Sequence, residues 1–554
     1  MSRPGASDRP NVLFVIADQL RADHLGFGGD GHVNTPNLDA LAARGAVFDE
    51  AYVASPTCMP NRASLLTGRW PSAHGTRCNG IPLDPDASTF VRQLAGSGYT
   101  TAAVGKLHHQ NMGWEFEPEQ LEQIRATSPL LLDGGAPDSV VRDREPGWDR
   151  HEDRARHDDA YLPLPRDYYG YNEVDLVVGH GDAPGGHWRH WARERGVDPA
   201  QGGPAASPRR SSAWEQVYTS AIPASAHPTE YVGERAEARV RAAAGQDDPF
   251  FLFVSFPDPH HPFAPPAEYA DRHRPEDMPL PVGFHQDHAR SPEHVRLMAE
   301  RRGTPDGDPT MTFAVDEEQY RQALAAQYGQ IEFVDDQVGR LLRALEESGQ
   351  AENTLIVFTA DHGDLFGDHG LMLKHFVHYR AVTRVPLLVA GPGVAARRMP
   401  ELVSTADLAP TLLDLTGTQP FRGIQGRSLR PLLGDDAGAP GAAPGTSAAA
   451  GTGAAAASGV SWREALLVEE EQPFSVPGLP APVTIRTVLT SRGRMTRYFG
   501  SDEVEVYDHG SDPDEMVNVA ADPDAAALRS HLEGAMLEAM ASVAETGLAP
   551  TASA

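Results

Sequence analysis

In the stretch Ser55-Pro56-Thr57-Cys58-Met59-Pro60-Asn61-Arg62, a thiol is followed two residues later by a proline and four residues later by a cation. Pro60 suits the first turn of a helix, Ala63 to Thr67 continue it and Gly68 ends it, so Cys58 is expected just ahead of a helix N-terminus. Free backbone N–H groups and the positive end of the helix would there face a bound anion. A small buried thiol at a loop-to-helix junction would read the same in isolation. The residues around it therefore carry the decision.

Those residues stand where apolar runs stop. Val12 to Ala17 is a continuous apolar run ending in Asp18-Gln19, and Thr354 to Thr359 leads into Asp361-His362-Gly363-Asp364. Phe250 to Phe256 ends in Pro257-Asp258-Pro259-His260-His261-Pro262, and Tyr99 to Val104 runs into Gly105-Lys106-Leu107-His108. Runs of this kind predict buried parallel strands, and ligands of open α/β sheets bind at the carboxyl ends of such strands. Two strands far apart in sequence thus bring acidic or amide ligands to one edge, and Lys106 and His108 would share a face if the chain stays extended.

The elements that position them alternate with these strands. Helices are expected from Thr35-Pro36 to Gly45, near Thr89 to Ala95, near Glu230 to Ala244 and from about Glu317 to Glu347. A strand over Val385 to Ala390 and a helix over Ala406 to Leu415, capped by Ser404 or Thr405, follow. The expected fold class is α/β, a large doubly wound mixed sheet flanked by helices over residues 1–433. Residues 119–214, rich in Pro, Gly, Asp, His and aromatics, read as a loop-rich insertion shaping the pocket. Residues 434–459 are nearly all Ala, Gly, Pro, Ser and Thr and read as a linker or loop. Residues 460–554 alternate over 465–468, 484–490, 494–499 and 504–507 before a helix near 525–543, predicting a small antiparallel sheet with a packed helix.

Of 554 residues, 40% are apolar and 22% charged, the composition of an ordinary globular enzyme. The net charge of −30 repels nucleic acid and anionic membranes, so an anionic substrate needs a local cationic pocket. Two cysteines, Cys58 and Cys78, exclude a disulfide framework. No run has the length of a signal peptide or a membrane span, and the chain is expected to be cytoplasmic. A homo-oligomer is compatible with the sequence.

Cys58-Met59-Pro60-Asn61-Arg62 resembles the C-x-P-x-R signature of formylglycine-dependent sulfatases, within the alkaline-phosphatase-like superfamily. Asp18-Gln19, Lys106-x-His108, Pro259-His260, Asp361-His362-Gly363 and Lys374 fall in that family's order, and Tyr507-Asp508 to Asn518 resembles its C-terminal region. The resemblance implies that a formylglycine-generating enzyme oxidises Cys58 to an aldehyde. One hydroxyl of its hydrate attacks sulfur and expels the alcohol, and the second loses its proton so that C–O cleavage releases sulfate and restores the aldehyde.

It further implies that Asp18, Gln19, Asp361, His362 and the formylglycine bind one divalent metal, Ca2+ or Mn2+. Lys106 and Lys374 would bind the oxyanions, Arg62 would hold the formylglycine and His108 would assist its hydrate. His260 would protonate the leaving alcohol, a near-neutral pKa suiting that task. Asn79 would bind a substrate oxygen or shape the Asn79-Gly80 turn. The substrate would be a small sulfate monoester. Gln19 and His362 depart from the Asp and Asn of many sulfatases and look more like phosphonate monoester hydrolases, Gln19 also like choline sulfatases, so a phosphonate monoester hydrolase or phosphodiesterase is the alternative. A non-catalytic binder of a sulfated ligand with an unmodified thiol is the remote one.

Overall fold

A computed structural model of the chain describes residues 9–114, 116–127, 147–304, 311–434 and 462–544. Nine strands form the main sheet: β1 (Asn11–Ala17), β2 (Ala46–Phe48), β3 (Thr100–Lys106), β4 (Glu173–Val178), β5 (Gly185–Gly186), β6 (Phe250–Phe256), β7 (Thr354–Ala360), β8 (Leu387–Ala390) and β9 (Arg397–Met399). Their order is β9-β2-β8-β7-β1-β6-β3-β4-β5. The five central strands, β7-β1-β6-β3-β4, are parallel. Antiparallel β8 and β5 flank them, which makes the sheet mixed.

β1 shows how the sequence builds two layers. Its side chains alternate between faces, so Leu13 and Val15 pack on one side and Val12, Phe14 and Ile16 on the other. The first face is covered by helices α4 (Pro228–Ala243) and α5 (Glu317–Glu347); the second by α2 (Cys58–Thr67), α3 (Phe90–Gly96) and α6 (Leu408–Leu415), while α1 (Pro36–Ala42) joins the first. α5 opens with a reciprocal cap, Gln319 N–H donating to Asp316 Oδ1 at 2.8 Å and Asp316 N–H to Gln319 Oε1 at 3.0 Å, which satisfies two donors its first turn would leave orphaned.

A second, antiparallel sheet of β10 (Ala465–Gln472), β11 (Val483–Thr490), β12 (Gly493–Phe499) and β13 (Val504–Asp508) packs Leu467, Val488, Met495 and Val506 against Leu528, Leu532 and Met536 of α7 (Ala526–Ser542). Sequence pattern ends its first strand at Val468, but β10 runs four residues further through Glu469, Glu470 and Glu471, of which Glu469 and Glu470 are buried. Three successive glutamates read as solvent-facing. Here Glu469 and Glu470 are inside because they find cationic and N–H partners.

β4 lies within the stretch expected to be loop, and joins the parallel set beside β3. The Ala/Gly/Pro-rich stretch 434–459 lies outside the described residues apart from Gly434. Among the described residues no helix is long and apolar enough to cross a membrane.

Candidate active site

Register places the site. Ala17 of β1 stands opposite both Ala360 of β7 and Phe256 of β6, and Gly105 of β3 opposite Ser255. The residues that follow these strands therefore emerge side by side at one sheet edge. α2 brings Cys58 to the same edge. Asn61 ties that helix to the end of β7, its Nδ2 donating to the Asp361 carbonyl at 2.6 Å while its Oδ1 accepts from Ala54 N–H at 3.0 Å and Thr405 Oγ1 at 2.7 Å. Pro60 lies in the first turn, where its missing N–H leaves no bond unmade, and Gly68, with φ of 65°, closes the helix.

Ligand-forming atoms of Asp18, Cys58, Asp361 and His362 all lie within 4.8 Å of one another, and all four residues are buried. Cys58 Sγ is 3.0 Å from His362 Nε2 and 4.0 Å from Asp18 Oδ1. The His362 Nδ1 lies 2.8 Å from the Gly363 carbonyl, which can only accept, so Nδ1 donates there and Nε2 faces the cluster.

Arg62 spans the two carboxylates. Its Nε donates to Asp361 Oδ2 at 2.8 Å and its Nη2 to Asp18 Oδ2 at 3.2 Å, while Nη1 donates to the Lys106 carbonyl at 2.7 Å and Ser255 Oγ at 3.0 Å. Each carboxylate thus spends one oxygen on Arg62 and turns Oδ1 toward His362, 3.7 Å from Asp18 and 3.6 Å from Asp361. The motif implies that Arg62 holds the Cys58 side chain, and its observed bonds run to the two carboxylates beside it. Burial would raise the Asp18 pKa, but Lys106 and Arg62 outweigh it and hold the carboxyl well below its usual range.

The cations form a pocket in a chain of net charge −30. Lys106 Nζ reaches both Asp18 Oδ2 and His180 Nε2. Lys374 Nζ donates to Gln19 Oε1 at 2.6 Å and contacts His260 Nε2 at 2.9 Å and Cys58 Sγ at 3.4 Å. Burial alone would raise the Cys58 thiol, yet Lys374, Lys106 and His362 together lower it. Cys78, where burial outweighs the single cation Arg77, is pushed up to about 12. The two thiols are free, and only the first is electrostatically activated.

Gln19 follows β1 with φ of 57°, its N–H donating to Asp361 Oδ1 at 3.0 Å. Its amide nitrogen bonds Asp364 Oδ2 at 2.5 Å and lies 3.2 Å from His261 Nδ1, so Lys374 faces the carbonyl oxygen. Asn79 Oδ1 accepts Met59 N–H at 3.1 Å, which places it on the first turn of α2.

Two expectations change. Lys106 and His108 do not share a strand face, because β3 ends at Lys106 and His108 takes φ of 56°. That turn is held by the buried Glu152, whose Oε2 accepts His108 N–H at 2.6 Å and whose Oε1 accepts the N–H groups of His109 at 2.9 Å and Gln110 at 3.2 Å. His108 Nδ1 is buried with no hydrogen-bond partner among the described residues. Nor is His260 near-neutral: burial, His180 and Lys374 push it well below its ordinary range.

His180, unmarked by any motif, belongs to the site. It follows β4, stacks on His260 with centroids 3.5 Å apart and a 7° tilt, and lies 3.8 Å from Asp18 Oδ2. Asp175-Leu176-Val177-Val178-Gly179-His180 has the same design as the other runs, mostly apolar residues stopping at a polar one, and that was the available signal.

Comparison with known proteins agrees with this geometry. The family model described as Sulfatase matches residues 10–117 and 203–418. The uncharacterized sulfatase YidJ of Escherichia coli (strain K12) is 29% identical over 541 residues, 96% of this chain and 87% of the relative. The arylsulfatase of Clostridium perfringens (strain 13 / Type A) is 29% identical over 432 residues, 77% of this chain and 78% of the relative. Among solved structures, the phosphonate monoester hydrolase of Agrobacterium radiobacter superposes with a TM-score of 0.71 at 26% identity, covering 98% of this chain and 97% of that one.

Proposed function

The chain belongs to the sulfatase family, and from that premise we propose that it hydrolyses a small sulfate monoester to an alcohol and inorganic sulfate at the Cys58 centre. The observation that carries this reading is the gathering of Asp18, Cys58, Asp361 and His362 donors within 4.8 Å, beside two lysines that can take the non-bridging oxygens of an anionic ester.

The donor set fits a divalent cation. Two carboxylate oxygens and an imidazole nitrogen converge, with the outer oxygens neutralised by Arg62. Asp18, Asp361, His362 and the modified Cys58 would hold it, with Gln19 joining through its carbonyl oxygen. One imidazole in the set suits Mn2+ at least as well as Ca2+, which prefers oxygen alone. The cation and the formylglycine made from Cys58 by a formylglycine-generating enzyme would supply, respectively, the Lewis acid and the nucleophile.

The chain's own residues do the rest. Lys106 and Lys374 would bind and orient the ester's oxyanions, and Arg62 would hold both aspartates through its paired N–H bonds. His260 Nε2 lies 2.9 Å from Lys374 Nζ, and that pair would deliver a proton to the leaving alcohol. His108, buried with its Nδ1 unbonded among the described residues, would serve the Cys58 side chain.

His362 in place of an amide ligand, Gln19 beside Asp18, and the similarity to a phosphonate monoester hydrolase favour one second reading, phosphonate monoester or phosphodiester hydrolysis at the same site. Comparing kcat/KM for an aryl sulfate and a phenylphosphonate ester separates them. The expected result is a preference for the sulfate, and a large preference for the phosphonate overturns it.

A further inference from the structure

Lys374 is not delivered by a strand or a helix. Leu373, His375 and Phe376 around it hold φ of 70°, 94° and 65°, a region that residues bearing a Cβ occupy only where surrounding contacts keep them there. On the side of the main sheet, Leu373 N–H donates to Asp364 Oδ1 at 2.9 Å and Thr312 Oγ1 to the His375 carbonyl at 2.9 Å.

On the other side a single carboxylate holds the turn. Glu470 of β10, 1% exposed, accepts Phe376 N–H on both oxygens at 3.3 and 3.2 Å. His375 Nδ1 lies 3.2 Å from Oε1 and His378 Nε2 3.0 Å from Oε2. Gln472 Nε2 donates to Oε1 at 3.0 Å, and Thr487 Oγ1 of β11 backs His378 Nδ1 at 2.8 Å. Burial would raise the Glu470 pKa, but the bonds from His375 and His378 outweigh it and keep the group ionised, well below the usual carboxylate range.

We propose that Glu470 is the positioning residue for Lys374: by holding residues 375–378 it sets the point from which the ammonium reaches Gln19, Cys58 and His260. The second sheet is then a working part of the site although none of its residues is placed at the reacting atoms. The inference rests on the reading of Lys374 as an oxyanion-binding lysine.

A double-mutant cycle in the full chain tests it. Glu470→Gln and Lys374→Ala are made singly and together, and each is read twice: by kcat/KM on the ester the wild type turns over, and by the affinity for inorganic sulfate measured calorimetrically. Glu470→Gln should lower kcat/KM by about 10- to 100-fold, as loss of an outer partner of a site residue does, and should weaken sulfate binding in the same sense. In the Lys374→Ala background it should change neither quantity by more than about twofold, because coupled residues do not act additively. Thr487→Val, which loosens His378 while keeping the side-chain volume, is the gentler second variant. It should give a smaller loss in the same direction that likewise vanishes without Lys374.

Losses that multiply in the Lys374→Ala background, or a Glu470→Gln protein with wild-type kcat/KM and sulfate affinity, overturn the positioning role. A wild type that turns over neither sulfate nor phosphonate esters contradicts the proposed function instead, and the sulfate-affinity cycle then decides the role of Glu470 by itself.

Discussion

The two halves of the site are held in different ways. Asp18, Lys106, Asp361 and His362 sit at or directly after β1, β3 and β7, and the parallel register of the sheet puts them side by side. His108 and Lys374 lie on turns with left-handed residues, each gripped by one buried glutamate from a distant part of the chain, Glu152 and Glu470. The first half takes its geometry from many ladder bonds and a large apolar core, so no single outer residue determines it. The second concentrates its geometry in two carboxylates, and small changes there should tune the site without dismantling it.

The largest effect should come from the first half, at the Cys58 that α2 brings to those strand ends. Cys58→Ala removes the proposed nucleophile from a wholly buried helix and should lower turnover by about 10⁴-fold or more with the fold unchanged by circular dichroism. Activity at the wild-type level would erase the distinction between the halves. Lys374→Ala, in the loop half, should cost about 10²- to 10³-fold in kcat/KM, the range for losing one preorganised charge stabiliser, while the divalent-cation content of the purified protein stays at the wild-type level. Loss of the cation would show that the two halves are one unit.

Glu152→Gln exchanges an acceptor of four bonds, three from the His108 turn and one from the Tyr168 hydroxyl at 2.7 Å, for a weaker one. About a tenfold fall in kcat with cation content unaltered is expected, and an unchanged kcat would mean that the turn holds itself.

The smallest effect concerns stability. Asp258, buried at the base of the His260 turn, has its carboxyl pushed up to about 7 by burial, against hydrogen bonds from Thr229 and Gln330. A carboxyl that binds its proton more tightly when folded contributes fully below its unfolded value near 3.8, and that contribution is lost as pH rises through about 7. Asp258→Asn should therefore melt about 2 to 4 °C above wild type at alkaline pH, the gap shrinking as pH falls toward 3.8. An offset constant with pH would contradict the buried-acid account.

The same division explains what could be read from sequence. Apolar runs such as Val12–Ala17 and Phe250–Phe256 state their own burial, and the polar residues that end them mark the sheet edge. The α2 helix follows from Pro60 and Gly68 for equally local reasons, as does the long α5 from its apolar spacing. β4 escapes because Glu173 and Asp175 interrupt its apolar character, and His180 escapes with it. The turns at His108 and Lys374 carry no local mark: left-handed residues here are His, Leu and Phe rather than Gly, and the glutamates that hold them lie 44 residues from His108 and 94 from Phe376. Glu470 is hidden again by its place in a run of three acids, where composition suggests solvent and the fold provides two histidines.

Whether Cys58 is a working thiol or the precursor of an aldehyde is decided by the mass of the peptide containing Cys58, taken from protein whose ester hydrolysis has been measured in the same preparation. The account predicts formylglycine at position 58 in proportion to specific activity. Fully active protein carrying only an unmodified thiol there would contradict it.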